Sequence, residues 1–65
     1  MKVNRKNLEL AMARACMNTE DLTIASELPR PTINNAITGR GLRPKTVGKL
    51  ARALNVPVEE LIEEV

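Results

Sequence analysis

Apolar residues recur at helical spacing along three stretches of the chain. Leu8, Ala11, Met12 and Ala15 fall at i, i+3, i+4 and i+7, which predicts an amphipathic helix over about residues 4–15. Val47, Leu50, Ala51 and Leu54 repeat that spacing, and so do Val58, Leu61, Ile62 and Val65. Two shorter pieces lie between, about 19–27 with Leu22 and Ala25, and about 30–38 with Ile33, Ala36 and Ile37. No run of alternating β-branched residues competes for a strand. Punctuation agrees with five helices. Asn18 or Thr19 suits the cap of the second, with Glu20 and Asp21 in its positive first turn. Pro29 and Pro31 break the chain and start the third, whose first turn has no amide hydrogen bonds to lose. Gly39 and Gly41 end it, and Pro44 and Pro57 open the last two. The expectation is an all-α chain of one small domain, residues 1–65, without linkers, repeats or low-complexity segments.

Composition narrows this further. With no Phe, Trp or Tyr, the core must come from eight Leu, five Val, four Ile, three Met and seven Ala. A core that thin gives marginal stability, which a partner chain can supplement. One Cys and no His exclude a disulfide framework and the usual zinc sites, and imply a reduced, cytoplasmic setting. No apolar run is long enough to span a bilayer, and no signal peptide opens the chain. An enzyme is poorly supported: there is no His, no glycine-rich phosphate loop, and nothing to activate Cys16. No cofactor is implied. The closing glutamates read as a solvated helix face rather than as metal ligands.

Charge is more informative than its net of +2. From Arg30 to Arg52 there are six basic residues (Arg30, Arg40, Arg43, Lys45, Lys49, Arg52) and no Asp or Glu. Residues 1–58 hold all ten basic residues and four acidic ones, a formal +6, and the last seven carry Glu59, Glu60, Glu63 and Glu64. That asymmetry points to a polyanion on one face, against the plainer reading of a solvated helix of mixed charge. The 30–38 helix carries the chemistry. A tight connection holds two short helices at a steep angle, so the second projects from the body. Opposite its apolar side it shows Arg30, Thr32, Asn34, Asn35 and Thr38. Arg forks onto guanine and Asn pairs both its hydrogen bonds with adenine.

Taken in order, these residues resemble the lambda-repressor and Cro-like (Xre) helix-turn-helix family. The resemblance rests on Met17-Asn18-Thr19-Glu20-Asp21-Leu22, Leu28-Pro29-Arg30-Pro31-Thr32-Ile33-Asn34, Gly39 and Arg43-Pro44. It continues through Lys49-Leu50-Ala51-Arg52-Ala53-Leu54-Asn55-Val56 and Val58-Glu59-Glu60-Leu61-Ile62, without gaps over about fifty residues. It implies a compact five-helix DNA-binding domain, its helix-turn-helix at about 19–38 and its third helix in the major groove. The family's base readers match Arg30, Pro31 and Asn35, with Asn34 beside them. Asn18 and Thr19 match the grip on the DNA backbone at the start of the second helix, and Arg40, Arg43 and Lys45 match the basic loop that holds a second stretch of phosphate. Thr32 and Thr38 are expected on the backbone too. Phosphate contacts set register and salt-sensitive affinity, while a few groove-facing side chains specify sequence.

Departures from the family pattern carry expectations of their own. Pro31 replaces a polar reader and offers only an apolar surface, suited to a thymine methyl. Glu27 stands where the turn glycine usually lies and Cys16 where a glycine often ends the first helix, so each must take a positive φ or shift the turn. Thr23 replaces a small Ala, Ser26 replaces an apolar residue, and Ile24 falls on the exposed side. Met12 and Ile37 occupy positions that often hold a buried Arg–Glu pair, and are expected to point inward and pack on each other. The implied function is a small transcriptional repressor of phage, mobile-element or antitoxin type, bacterial or phage-encoded and cytoplasmic, acting on double-stranded DNA. A homodimer on a roughly palindromic operator is expected, with Val58, Leu61, Ile62 and Val65 as the dimer stripe. The alternative is an antitoxin-like or anti-repressor protein-interaction module on the same fold, without sequence-specific DNA binding.

Overall fold

In the computed structural model, which describes residues 1–63, five helices follow one another: α1 Arg5–Arg14, α2 Thr19–Ser26, α3 Arg30–Ile37, α4 Pro44–Leu54 and α5 Val58–Leu61. Side chains cap the first two. The Asn4 side chain accepts from the Asn7 amide at 3.0 Å, and Asn18 accepts from the Asp21 amide at 2.8 Å. Asp21 returns the bond, its carboxylate accepting from the Asn18 amide at 3.2 Å, which completes a capping box. α3, α4 and α5 start without a side-chain cap, at Pro29-Arg30-Pro31, Arg43-Pro44 and Pro57.

Most helices end on a left-handed residue, and glycine supplies just one of these ends. Cys16, Glu27 and Asn55 have φ of 57°, 56° and 57°, and Gly39 has 82°. Beyond three of them the next amide reaches back five residues: Met17 to Met12 at 2.9 Å, Arg40 to Asn35 at 2.9 Å and Val56 to Ala51 at 3.0 Å. Cys16 and Glu27 therefore do take the strained backbone that their missing glycines imply.

Packing follows the apolar stripes. Leu8, Leu22, Ile33, Leu50, Leu61, Val3 and Val47 are wholly buried, with Ala36 and Ala51 between them. α4 lies against α2 and α5, and α1 against α5 and α3. Among the described residues Ser26 is the one buried polar side chain, and its hydroxyl donates to the Leu22 carbonyl at 2.7 Å. That bond explains how a hydroxyl stands in an apolar position at little expense. Ile24 is exposed, as its place on the helix implies.

Two expectations need correcting. The last helix stops at Leu61, and Ile62 is extended (φ −83°, ψ 153°) in an antiparallel bridge with Val3. The reason is a competing backbone partner: the Asn4 amide donates to the Leu61 carbonyl at 2.7 Å, and the Glu63 amide to the Lys2 carbonyl at 2.9 Å. Second, the stripe proposed for dimer contact faces the chain's own core. Leu61 is 0% exposed, Val58 and Ile62 are half-buried against the core, and Val65 lies outside the described residues. Met12 and Ile37 both pack against the core, half-buried, as their inward orientation implies.

Two changes test these features. A left-handed backbone costs a residue with a side chain about 1–2 kcal/mol, partly offset by the larger unfolded-state entropy of glycine. Glu27→Gly should therefore stabilise the protein by about 0.5–1 kcal/mol, raising its thermal midpoint by roughly 2–6 °C; an unchanged or lower midpoint by circular dichroism would count against strain at the turn. Val3→Ala, which empties a buried site on the N-terminal segment, should lower stability by about 1.5–3 kcal/mol in urea titrations. If that segment were a loose appendage, the midpoint would not move.

Candidate nucleic-acid interface

α3 is oriented by the side it buries. Ile33 and Ala36 are 0% exposed and Ile37 is half-buried, so the opposite side must face solvent. Arg30, Asn34 and Thr38 succeed one another there at i, i+4 and i+8, with Pro31 alongside, all exposed. Asn35 and Thr32 are half-buried on the flanks. The ridge is therefore centred on Asn34, and Asn35 lies to one side. Periodicity alone did not separate the two amides, because the choice depends on which edge of the apolar stripe sits deepest.

Arg30 heads the helix at its N-terminal end, where its guanidinium projects with the helix dipole's positive pole. Thr38 is differently engaged. Its hydroxyl donates to the Asn34 carbonyl at 2.9 Å and lies 3.3 Å from the Asn35 carbonyl. With its one proton committed there, it has none to give a phosphate oxygen, so its expected backbone contact is not available in this rotamer.

Asn18 is likewise partly engaged. Its side-chain oxygen belongs to the capping box, which leaves the amide NH2 as the donor for an outside group. The Thr19 amide opens α2 beside it, but the exposed carboxylates Glu20 and Asp21 lower the positive potential there.

A second group of donors surrounds the start of α4. Arg40, Arg43 and Lys45 are exposed, and the one ion pair among the described residues, Arg5–Glu9 at 3.2 Å, is elsewhere. No side chain caps α4, so the Lys45 and Thr46 amides point out of the helix end without an internal partner. Helix ends of this kind receive phosphate oxygens readily. The Thr46 amide was not singled out from the sequence; its signal was the absence of Ser, Thr, Asp or Asn before Pro44. Lys49 and Arg52 belong to another face, lining a shallow hollow of about 250 Å³ with Ala25, Ser26 and Glu27 at the end of α2. The basic run is thus split between two faces of the fold.

Among the described residues no His, Cys, Asp and Glu cluster could hold a metal ion, and no helix is long and apolar enough to cross a membrane. What the surface offers is a ridge with one guanidinium and one amide, a second amide on its flank, beside a row of unpaired cations and open backbone amides. No curated protein and no solved structure matches the chain. A family model described as a Cro/C1-type HTH DNA-binding domain matches residues 7–65, from the first turn of α1 through α5 and beyond. With nine-tenths of its length matched in this way, the chain belongs to the Cro/C1-type helix-turn-helix DNA-binding family.

Proposed function

We propose that this protein is a cytoplasmic, bacterial or phage-encoded, sequence-specific repressor of phage, mobile-element or antitoxin type, acting as a homodimer on a roughly palindromic operator. The observation that carries the reading is the ridge of α3, where Arg30 and Asn34 stand exposed above the fully buried Ile33 and Ala36. In the major groove Arg30 suits a guanine and Asn34 an adenine, with Pro31 against a thymine methyl and Asn35 at the margin. Arg40, Arg43, Lys45 and the α4 amides hold the phosphate on one side of the groove, and the Asn18 NH2 with the Thr19 amide holds it on the other. Such a complex regulates by occupying its site and excluding other proteins from it.

Dimerisation follows from size. The domain measures 28 × 22 × 18 Å, so its long axis covers about eight base pairs at ~3.4 Å each. Two copies set about one helical turn (~34 Å) apart read twice the sequence and multiply the affinity.

Selection of binding sites from random duplex DNA tests the proposal directly: two inverted half-sites should be enriched, and recovery of no preferred sequence would refute it. On the selected site, Arg30→Ala and Asn34→Ala should each weaken binding by about 1–3 kcal/mol and relax the preferred base at one position. Asn35→Ala should have the smaller effect. Lys45→Ala should instead weaken all sequences alike and reduce the slope of log affinity against log salt by about one unit. Equal losses on selected and random DNA for Arg30→Ala would reduce that residue to a phosphate contact.

A further inference from the structure

We infer that the groove between α1 and the turn joining α4 to α5 is where two copies of this chain meet. Asn7, Leu10, Ala11 and Arg14 of α1 form one wall, and Val56 and Glu60 the other, around a hollow of about 190 Å³. Leu10 is 57% exposed at its rim, on the side of α1 opposite the buried Leu8. Arg14 and Glu60 stand on opposite walls, both exposed, and they form no ion pair within the chain.

That arrangement is complementary to itself. In a two-fold interface residue i meets j while j meets i. An axis passing beside Leu10 brings the two leucines together over the hollows and sets each Arg14 against the other copy's Glu60, so both charges gain a partner twice over. The other large exposed apolar residue on a helix, Ile24 at 71%, lacks this property. Its neighbours one turn away, Glu20, Asp21 and Glu27, are all acidic, and two copies meeting there would repel.

The area available sets the strength. A standard interface buries about 800 Å² on each partner, close to a fifth of this protein's 4477 Å². One groove and one leucine fall short of that, so the free dimer is weak and forms fully only when DNA holds two copies side by side. The inference rests on the homodimer proposed above and gives it a surface, in place of the stripe that the core consumes.

Sedimentation velocity on the full chain, from micromolar to millimolar concentration, tests it together with binding to duplexes carrying one or two half-sites. The wild type should dimerise as concentration rises and bind the two-half-site duplex cooperatively. Leu10→Lys, which sets like charges face to face across the axis, should raise the dimer dissociation constant about tenfold or more. Arg14→Glu and Glu60→Arg should each raise it about threefold or more, and the two together should restore it to within roughly twofold of the wild type. Rescue by the double reversal separates pairing across the interface from any general loss of structure, and unchanged affinity for the single half-site shows that the fold of each variant holds. Dimerisation indifferent to Leu10→Lys, a double reversal no better than its singles, or a wild type that never dimerises and binds two half-sites independently would each overturn the inference. In the last case single-site binding would leave the DNA reading standing; dimerisation without DNA binding would do the reverse.

Discussion

Between Ser26 and Arg30 the chain has three residues in which to reverse direction, and the first of them, Glu27, must lie left-handed to do so. The angle this sets decides everything downstream. It lets Leu28 drop into the core, positions Pro29 to begin α3, and turns Ile33 and Ala36 inward so that Arg30 and Asn34 are left outside. A residue with a side chain pays in strain for a conformation glycine would take freely. The strain is tolerable because both helices are held elsewhere, α2 by its packing on α4 and α3 by its packing on α1.

Where local pattern sufficed, the sequence was legible. The stripes on α1 and α4 read correctly because each needs only its own spacing, and Asn18 with Asp21 three residues later identifies a capped start. Positive φ at Cys16 and Glu27 was legible from the glycines they replace, whereas Asn55 gave a subtler cue: an amide following Leu54 at a helix end. The failures at the chain's closing end are non-local. Ile62 continues a perfect helical stripe, yet its backbone is claimed by Val3, nearly sixty positions earlier. For the same reason Leu61 faces inward rather than toward a partner. Nothing in the 58–62 spacing encodes that competitor.

At the site, residue types were easier to read than their availability. Asn18 and Thr38 have the right chemistry for phosphate, but each has already spent part of it on its own backbone. Hydrogen-bonding capacity is a count, and a sequence shows the total without showing what the fold withdraws. Asn34 and Asn35 differ in the same way: identical side chains, separated by one step around the helix, with different exposure.

The N-terminal segment also determines where an added chain would begin. Met1 pairs with Leu42, whose amide donates to its carbonyl at 2.6 Å, and Leu42 sits between Arg40 and Arg43. A tag or fusion partner placed before Met1 would therefore emerge at the margin of the phosphate-facing loop. An acidic one would act there as a tethered competitor for the same cations, at an effective concentration that dilution of the protein does not lower. A basic one would add affinity without sequence preference. Binding measured on such a fusion would report the tag and the loop together.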